Sequence, residues 1–269
     1  MTPAGVNASG ASSASKASDA SSLSASGASS VRVDKVVTSG TFSLDGGTWD
    51  VDNNVWVIGN DDECIVIDAA HQGQPILAAV AGRKVIAVLL THGHDDHIGA
   101  VGEVADVTGG PSYLHPADRI LWDTVYPVTP DGELADGDVF TVGGVDVHVV
   151  HTPGHAFGAC CFHVPALEMV FTGDTLFAGG PGATGRSFSD FPTIIDSIRA
   201  KLLTLPPETV VHPGHGDDTT IAAEAPHLPE WIARGHLGRT TVGAADLAAI
   251  AVRAWPPGQR PSPCSDVQM

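Results

Sequence analysis

The chain has 269 residues and a formal net charge of −18, because 13 Lys and Arg stand against 31 Asp and Glu. This shortage of bases argues against nucleic-acid binding, which needs a basic face to neutralise phosphates. No apolar run approaches the roughly 18–20 residues of a membrane helix, so we expect neither nucleic acid nor membrane as a partner. The chain also contains 13 histidines, which would indicate metal or acid–base chemistry if they cluster.

The two ends of the chain differ in composition from its middle. Residues 1–30 are mostly Ser, Ala and Gly, which cannot bury enough apolar surface to offset chain entropy, so we expect a disordered tail. Residues 236–269 hold an Ala-rich stretch over 244–255 and then a Pro-rich run, so we expect a short helix followed by a flexible tail. Residues 31–235 are expected to form one domain.

Strand and helix patterns alternate along this body. Apolar or alternating runs predict strands over 54–59, 64–68, 85–90, 139–142, 145–151, 159–164, 168–172 and 209–212. Helical spacing predicts helices over 74–81, 97–107, 117–122 and 191–203. Interleaved strands and helices indicate a layered α/β or mixed α+β protein.

The four cysteines show no CxxC spacing. Cys160 and Cys161 are adjacent, whereas the other two are remote from them in sequence. Because no disulfide framework is evident, we expect a reducing, cytoplasmic setting.

The strongest chemical signal is the segment THGHDDH at residues 91–97. It follows the predicted strand 85–90 and precedes a predicted helix, so three imidazoles and a carboxylate meet at one turn. Divalent metal ions bind neutral imidazole nitrogens and carboxylate oxygens. The segment therefore predicts a metal site.

Three more candidate ligands follow predicted strands in the same way. His155, Asp174 and His215 each lie at a strand end beside a glycine, which permits a tight turn. One zinc ion uses three or four protein ligands, so seven suit two metal ions that share a carboxylate and lie roughly 3.5–4 Å apart. The complete candidate set is His92, His94, Asp96, His97, His155, Asp174 and His215.

This set resembles the metallo-β-lactamase-fold hydrolase superfamily over about residues 42–231. The sequences TPGH at 152–155, TGDTLF at 172–177 and PGHG at 213–216 are similar to those of its glyoxalase II-like branch, the hydroxyacylglutathione hydrolases. The resemblance implies an α+β fold, a four-layer αββα sandwich with the metals at one edge between the sheets.

The resemblance also assigns the ligands to two divalent ions, which we expect to be Zn²⁺, with Fe or Mn as alternatives. The first ion would take His92, His94 and His155, the second would take Asp96, His97 and His215, and Asp174 would bridge them. A metal-bound His usually donates its other N–H to a carboxylate or carbonyl, and Asp68 stands where the superfamily keeps such an orienting residue. The other eight histidines are expected to be structural or surface residues.

The implied reaction is hydrolysis of small hydroxyacyl-thiol thioesters. Two divalent ions lower the pKa of bound water towards 7, so a metal-bridging hydroxide would attack the thioester carbonyl, with Asp96 orienting it and accepting its proton. A thiolate, with a parent pKa of roughly 8.5, leaves without a general acid. This fits a sequence in which Tyr113 and Tyr126 are the only tyrosines and neither presents itself as that acid.

The sequence departs from the glyoxalase II pattern in two places. Residues 216–269 are too few for the helical C-terminal domain that helps those enzymes bind glutathione, so the identity of the thiol stays open. Residues 179–188 are longer and richer in glycine than the usual Gly-Arg turn. We expect a substrate-facing loop there, with Arg186 either an anchor for an anionic group or a surface side chain.

Other members of the superfamily give the alternatives. A lactonase would use the same dinuclear site, and a persulfide dioxygenase would use a single iron. A metallo-β-lactamase proper is disfavoured because Asp174 stands where those enzymes commonly place Cys. A nuclease is disfavoured because no RNA-binding module is inserted between Asp174 and His215, and a scaffold without activity would predict a broken ligand set.

Overall fold

A computed structural model of the protein describes residues 30–235. The predictions for the N-terminal tail up to residue 29 and for residues 236–269 lie outside this range. Within it, no helix combines the length and the apolar character that crossing a membrane requires.

The first sheet has six strands in the order β1-β2-β3-β4-β5-β6. They are β1 (Arg32–Leu44), β2 (Gly47–Gly59), β3 (Glu63–Ile67), β4 (Lys84–Leu89), β5 (Ser112–Leu114) and β6 (Gly132–Glu133). β1, β2 and β3 are antiparallel neighbours, whereas β3 to β6 run parallel. Parallel neighbours need crossover connections, which the intervening helices supply.

The second sheet also has six strands, in the order β7-β8-β9-β10-β13-β14. They are β7 (Val139–Val142), β8 (Val145–His151), β9 (Cys160–Val164), β10 (Met169–Gly173), β13 (Val210–Pro213) and β14 (Thr219–Thr220). All neighbours are antiparallel except β10 and β13. Between those two strands in sequence, β11 (Leu176–Phe177) and β12 (Gly180–Pro181) form a small separate ribbon.

Seven short helices complete the described part of the chain. They are α1 (Gly73–Val80), α2 (Asp95–Ile98), α3 (Val101–Thr108), α4 (Arg119–Trp122), α5 (Phe191–Ser197), α6 (Ile221–Glu224) and α7 (Leu228–Arg234). A π-helical turn, Ile198–Leu202, continues α5, and a 3₁₀ turn, Pro116–Asp118, precedes α4. The predicted helix over 191–203 is therefore α5 together with its π-helical extension.

Strand β2 shows how the layers are built. Trp56 and Ile58 point into the core between the two sheets, whereas Val55 and Val57 pack towards the helices on the outer face. Successive side chains of a strand face opposite sides, so a strand with a layer on each face must be apolar on both. The same reasoning explains the continuous apolar run of β4.

Three apolar clusters define four layers. The central one lies between the sheets and includes Phe162 of β9. A second packs α1 and α3 on the outer face of the first sheet through Ile76 and Val104, and a third packs α5 on the second sheet through Ile194. The predicted α+β architecture, a four-layer αββα sandwich, is confirmed.

The β1–β2 hairpin is the largest feature that the sequence patterns do not predict. The predicted strand begins at residue 54, whereas β2 begins at Gly47 and pairs with β1 along its whole length. Polar residues interrupt the apolar pattern before residue 54 because this part of the hairpin is only partly buried. The dipeptide Asp45-Gly46 could have predicted the hairpin, because Asp-Gly is typical of two-residue hairpin turns. Their φ angles of 52° and 78° fit such a turn.

The helix predicted over 97–107 is divided into α2 and α3. Ala69 N–H donates to the His97 carbonyl at 3.0 Å, and Ala100 N–H donates to the Ala69 carbonyl at 2.8 Å. These bonds to a neighbouring segment replace helical ones, so α2 ends at Ile98. The same bonds fix the backbone of His97.

Three cysteines lie within the described residues. Cys64 is on β3, and Cys160 and Cys161 are on β9; all three are buried and free. Burial raises the pKa of each thiol, for Cys161 to about 11.

Candidate metal centre

The candidate ligands lie at one edge of the sandwich, where strands of both sheets end. β4 of the first sheet ends at Leu89, two residues before the THGHDDH segment. In the second sheet β8, β10 and β13 end at His151, Gly173 and Pro213, just before His155, Asp174 and His215 respectively.

Backbone hydrogen bonds join the two sheets at this edge. Asn54 N–H of β2 donates to the Gly214 carbonyl at 2.7 Å, and Cys160 N–H of β9 donates to the Thr91 carbonyl at 2.7 Å. The loops that carry the candidate ligands are therefore held in register by the main chain.

His92, His94 and His155 form the first cluster, with one ligand atom from each within 4.8 Å of the other two. His94 Nδ1 lies 3.1 Å from His155 Nε2, and all three side chains are buried. Burial lowers the pKa of each imidazole, for His94 to about 3. They are therefore neutral at pH 7, which is the form that binds metal ions.

Asp96, His97 and His215 form the second cluster, again within 4.8 Å of one another. Asp96 Oδ2 lies 3.5 Å from His97 Nε2 and 3.4 Å from His215 Nε2. The two imidazole nitrogens are 3.3 Å apart. Imidazole and carboxylate groups thus converge on one small volume.

Asp174 lies between the clusters. Its Oδ1 is 3.4 Å from His97 Nε2, and its Oδ2 is 3.5 Å from His155 Nε2 and 3.4 Å from His215 Nε2. It also forms a third ligand group with His92 and His97. The structure therefore brings all seven candidate residues together, in clusters suited to a dinuclear metal site with one shared carboxylate.

The carboxylates of Asp96 and Asp174 give the second cluster a negative potential, which favours a bound cation. Burial opposes charge on His97 and His215, but Asp96 and Asp174 hold the pKa of His97 well above its usual value, and Asp174 raises the pKa of His215 to about 10. Burial likewise opposes ionisation of Asp96 and Asp174, but the two imidazoles hold the pKa of both carboxyls below the usual range.

Several buried polar atoms at this edge have no hydrogen-bond partner within residues 30–235. Among the seven candidates they are His92 Nε2, His94 Nε2, Asp96 Oδ1 and Asp174 Oδ1. Burying such atoms unpaired costs about 1–3 kcal/mol each, and nearly all buried polar groups are paired. Unpaired nitrogen and carboxylate lone pairs in one small volume fit divalent metal ions.

Three of the histidines donate their second ring N–H to an acceptor outside the clusters. The bonds run from His97 Nδ1 to Asp68 Oδ2 (2.8 Å), from His155 Nδ1 to the Ala183 carbonyl (2.8 Å) and from His215 Nδ1 to the Asp52 carbonyl (2.7 Å). Such bonds fix the tautomer and the ring orientation, which leaves Nε2 facing the other candidates. Asp68 therefore contacts a candidate metal ligand, His97, as its predicted orienting role requires.

The glycine of the PGHG sequence has a steric role. A Cβ on Gly214 would lie 2.5 Å from Asp174 Oδ1 and 2.7 Å from His97 Cε1. A larger residue at this position would displace two of the candidate ligands.

Three other buried residues contact the centre and are not among the residues predicted from the sequence. Asn53 bonds to Asp96, Asn54 donates to the carbonyls of Pro213 and Gly216 at 3.0 Å, and Asp118 accepts from two backbone amides of the ligand loops. The adjacent asparagines Asn53 and Asn54, at the start of the apolar run 54–59, could have indicated polar contacts at this point of the sequence. No feature of the sequence indicated the role of Asp118, because the segment around it resembles an exposed helical turn.

Arg186 lies above the aromatic side chains of the β1–β2 hairpin. Its guanidinium carbon is 3.9 Å from the centre of the Trp49 ring and 5.4 Å from that of Phe42. The Phe42 ring is in turn 5.0 Å from the His94 ring. Ser187 N–H donates to Asp45 Oδ2 at 3.0 Å, which ties the glycine-rich loop to the hairpin turn.

The sequence profile of the metallo-beta-lactamase superfamily matches residues 48–215. The chain belongs to this superfamily.

Three relatives are similar to this chain at the sequence level. An uncharacterized protein of Aquifex aeolicus is 36% identical over 62% of this chain and 85% of its own length. A probable metallo-hydrolase of Bacillus subtilis, YqgX, is 34% identical over 63% and 88%. A hydroxyacylglutathione hydrolase of Fuscovulum blasticum is 38% identical over 54% of this chain and 55% of that protein.

Two solved structures share the fold. TTHA1623 in a di-iron-bound form is 34% identical, with a TM-score of 0.59 over 65% of this chain and 93% of that one. The B3 metallo-beta-lactamase BLEG-1 is 30% identical, with a TM-score of 0.59 over 72% and 99%.

Proposed function

We propose that the protein is a metal-dependent hydrolase with two divalent ions and that it cleaves thioesters of small hydroxyacyl-thiol conjugates. The observation that carries the proposal is that two buried ligand clusters meet at one carboxylate, Asp174. One metal ion takes three or four protein ligands, so the arrangement provides enough ligands for two ions. This argues against a single-iron reaction.

The seven residues divide between the ions as their clusters do. The first ion would be held by His92, His94 and His155, the second by Asp96, His97 and His215, with Asp174 shared. Bound divalent ions would supply a hydroxide nucleophile at neutral pH and would polarise the carbonyl. Zn²⁺ suits this set of nitrogen and oxygen ligands, and the di-iron form of TTHA1623 keeps iron as an alternative.

Asp96 would orient the attacking water. His97 and His215 hold the pKa of its buried carboxyl below the usual range, so it is ionised at pH 7. Its Oδ1 has no hydrogen-bond partner among the described residues, so it can accept a hydrogen bond from the water and then its proton. The histidine rings keep their positions because their second N–H groups are already bonded.

The surroundings favour a leaving group that needs no protonation. Tyr126 Oη donates to the Ile98 carbonyl at 2.8 Å, and the partly buried Tyr113 packs against Phe140 beside the central apolar cluster. Neither tyrosine is available as a general acid for the leaving group. A thiolate, with a parent pKa of roughly 8.5, leaves without one.

Similarity to the hydroxyacylglutathione hydrolase of Fuscovulum blasticum supports the thioester class. This chain covers 55% of that protein, so glutathione itself is not carried over. Arg186 supports an anionic thiol, because its guanidinium lies over the Phe42 and Trp49 rings, and the Phe42 ring is 5.0 Å from the ring of the candidate ligand His94.

The test combines metal content with a panel of thioesters. The purified protein is expected to contain two metal ions per chain and to hydrolyse hydroxyacyl-thiol thioesters. Asp174→Ala should reduce kcat/KM by at least ~100-fold, because outer-shell changes alone cost 10–100-fold. His163→Ala, a partly buried histidine on β9, is the matched control and should retain activity. Full activity after chelation, or in Asp174→Ala, would contradict the proposal.

Similarity to BLEG-1, a B3 metallo-beta-lactamase, makes β-lactam hydrolysis the second candidate. The same metal-loaded protein should therefore be assayed with β-lactams and with lactones. We expect kcat/KM to be highest for a thioester. A higher value for a β-lactam would reverse the order of the two candidates.

A further inference from the structure

Asn53 on β2 holds a ligand of the second cluster without being a candidate ligand itself. Its side chain is fully buried, and its Nδ2 donates to Asp96 Oδ2 at 3.0 Å. The same oxygen lies 3.5 Å from His97 Nε2 and 3.4 Å from His215 Nε2. The bond from Asn53 therefore fixes the direction in which this oxygen faces the second cluster.

His71 holds Asn53 from the opposite side. Its Nε2–H donates to Asn53 Oδ1 at 2.7 Å, so the amide cannot rotate without losing a hydrogen bond at each end. His71 has a φ of 53°, which is uncommon for a residue other than glycine. A Cβ on Gly40 would overlap the His71 ring, so the ring is also held in place by packing.

Asp118 fixes the loops of the first cluster through its side-chain carboxylate. Its Oδ2 accepts from Gly93 N–H at 3.0 Å, and its Oδ1 accepts from Gly158 N–H at 2.5 Å. Gly93 lies between His92 and His94, and Gly158 follows His155 by three residues. One carboxylate thus joins the two loops that carry the three histidines.

Burial of the Asp118 carboxyl is energetically unfavourable, so packing alone does not explain its position. It is fully buried, and no Lys, Arg or His within residues 30–235 forms an ion pair with it. Burial raises the pKa of its carboxyl to about 6. Cβ atoms at Gly93 and Gly158 would lie 2.9 Å and 2.8 Å from Asp118 atoms, so both loops are glycine where they contact it.

We propose that Asn53 and Asp118 are positioning residues, each serving one metal site: Asn53, held by His71, for the site of Asp96, His97 and His215, and Asp118 for the site of His92, His94 and His155. The inference rests on the two-metal centre proposed above. No hydrogen bond between described residues joins Asn53 to Asp118 directly, so the affinities of the two sites should respond separately to substitution.

The test measures Zn²⁺ affinity in full-length chains that retain one site. His155→Ala weakens the first site, and His215→Ala weakens the second. Asn53→Ala and Asp118→Asn are combined with each background, and retained Zn²⁺ is measured by mass spectrometry after dialysis against chelators of graded strength. Asn60→Ala is the control, because the Asn60 side chain accepts from the turn amides of Asp62 and Glu63 and contacts no candidate ligand among the described residues.

We expect Asn53→Ala to weaken Zn²⁺ binding about 10–100-fold in the His155→Ala background and not in the His215→Ala background. Asp118→Asn should show the reverse pattern, and Asn60→Ala should change neither. A residue that served only global stability would weaken both sites equally, so the selectivity is the decisive result. Equal losses in both backgrounds, or no loss, would overturn the proposal.

Two further measurements keep the outcome decidable. If Asn53→Ala fails to fold, His71→Asn tests the same side, because asparagine tolerates a positive φ but cannot reach Asn53, and it should weaken the second site selectively. A single-site pattern is interpretable only if the unsubstituted chain binds two ions. Fewer than two would overturn the two-metal proposal itself, whereas two ions without site selectivity would overturn only the positioning roles.

Discussion

At the residue scale, Asp68 shows how one side chain serves several elements. It follows β3 with a φ of 57°, a conformation that Asp adopts more readily than most residues. From there it accepts from Thr91 N–H at 2.8 Å, from Thr91 Oγ1–H at 2.9 Å and from His97 Nδ1–H at 2.8 Å. One carboxylate thus fixes both the start of the THGHDDH segment and its last histidine.

A pH-dependent effect on stability is expected from His115, which stacks on His151 with ring centres 4.0 Å apart. Burial, followed by the neighbouring His151, lowers the pKa of His115 to about 4, below the value of about 6.5 expected in the unfolded chain. The unfolded state therefore binds this proton first. The contribution of His115 to the free energy of unfolding is complete above pH 6.5 and is lost as the pH falls towards 4.

His115→Asn tests this, because asparagine can still accept from Ala117 N–H as His115 Nδ1 does. Urea unfolding at pH 7 and pH 5 should show a smaller loss of stability on acidification in the variant than in the parent chain. Acid effects at the metal ligands are common to both proteins and cancel in the comparison. An identical pH dependence would contradict the assignment.

At the element scale, the candidate ligands follow the ends of strands, and their positions were the most predictable part of the molecule. The candidate ligands lie just after predicted strands and near glycines, two local signals that are independent of distant contacts. The hairpin turn, the division into α2 and α3, and the role of Asp118 depend on partners far away in sequence. Local patterns therefore indicated the candidate ligands but not Asn53 and Asp118, which contact them or their loops.

The glycine-rich loop and the β1–β2 hairpin make one further prediction. We expect the half-buried guanidinium of Arg186, which stacks on the Trp49 ring, to pair with a substrate anion, so Arg186→Ala should raise KM about tenfold for a thioester of an anionic thiol, with kcat little changed. A thioester of a neutral thiol should show little effect. Arg119→Ala, which removes an exposed pair with Asp123, is the control. Equal effects on both thioesters would rule out the anchor role.

At the scale of the whole molecule, the candidate centre connects the two sheets. His92, His94, Asp96 and His97 follow β4 of the first sheet, and the other three candidates follow strands of the second. Bound ions would therefore cross-link the sandwich at one edge. They would also place positive charge in a chain whose formal net charge is −18.

Metal removal should accordingly lower thermal stability. Each ion present at about 1,000 times its Kd adds about 4 kcal/mol, so two ions add about 8 kcal/mol, which for a chain of this size corresponds to a fall in Tm of about 20 °C on removal. Differential scanning calorimetry before and after chelation measures the change, and adding back Zn²⁺ should reverse it. An unchanged Tm would show that the two sheets do not depend on the ions.

The buried cysteines provide a way to follow how the sandwich comes apart. Cys64 belongs to the first sheet, and Cys160 and Cys161 belong to the second. Their thiols are protonated and shielded in the folded chain, so alkylation at these positions requires opening of the surrounding sheet. Comparing the alkylation rates of Cys64 and of the Cys160–Cys161 pair would show whether the sheets open together or in sequence.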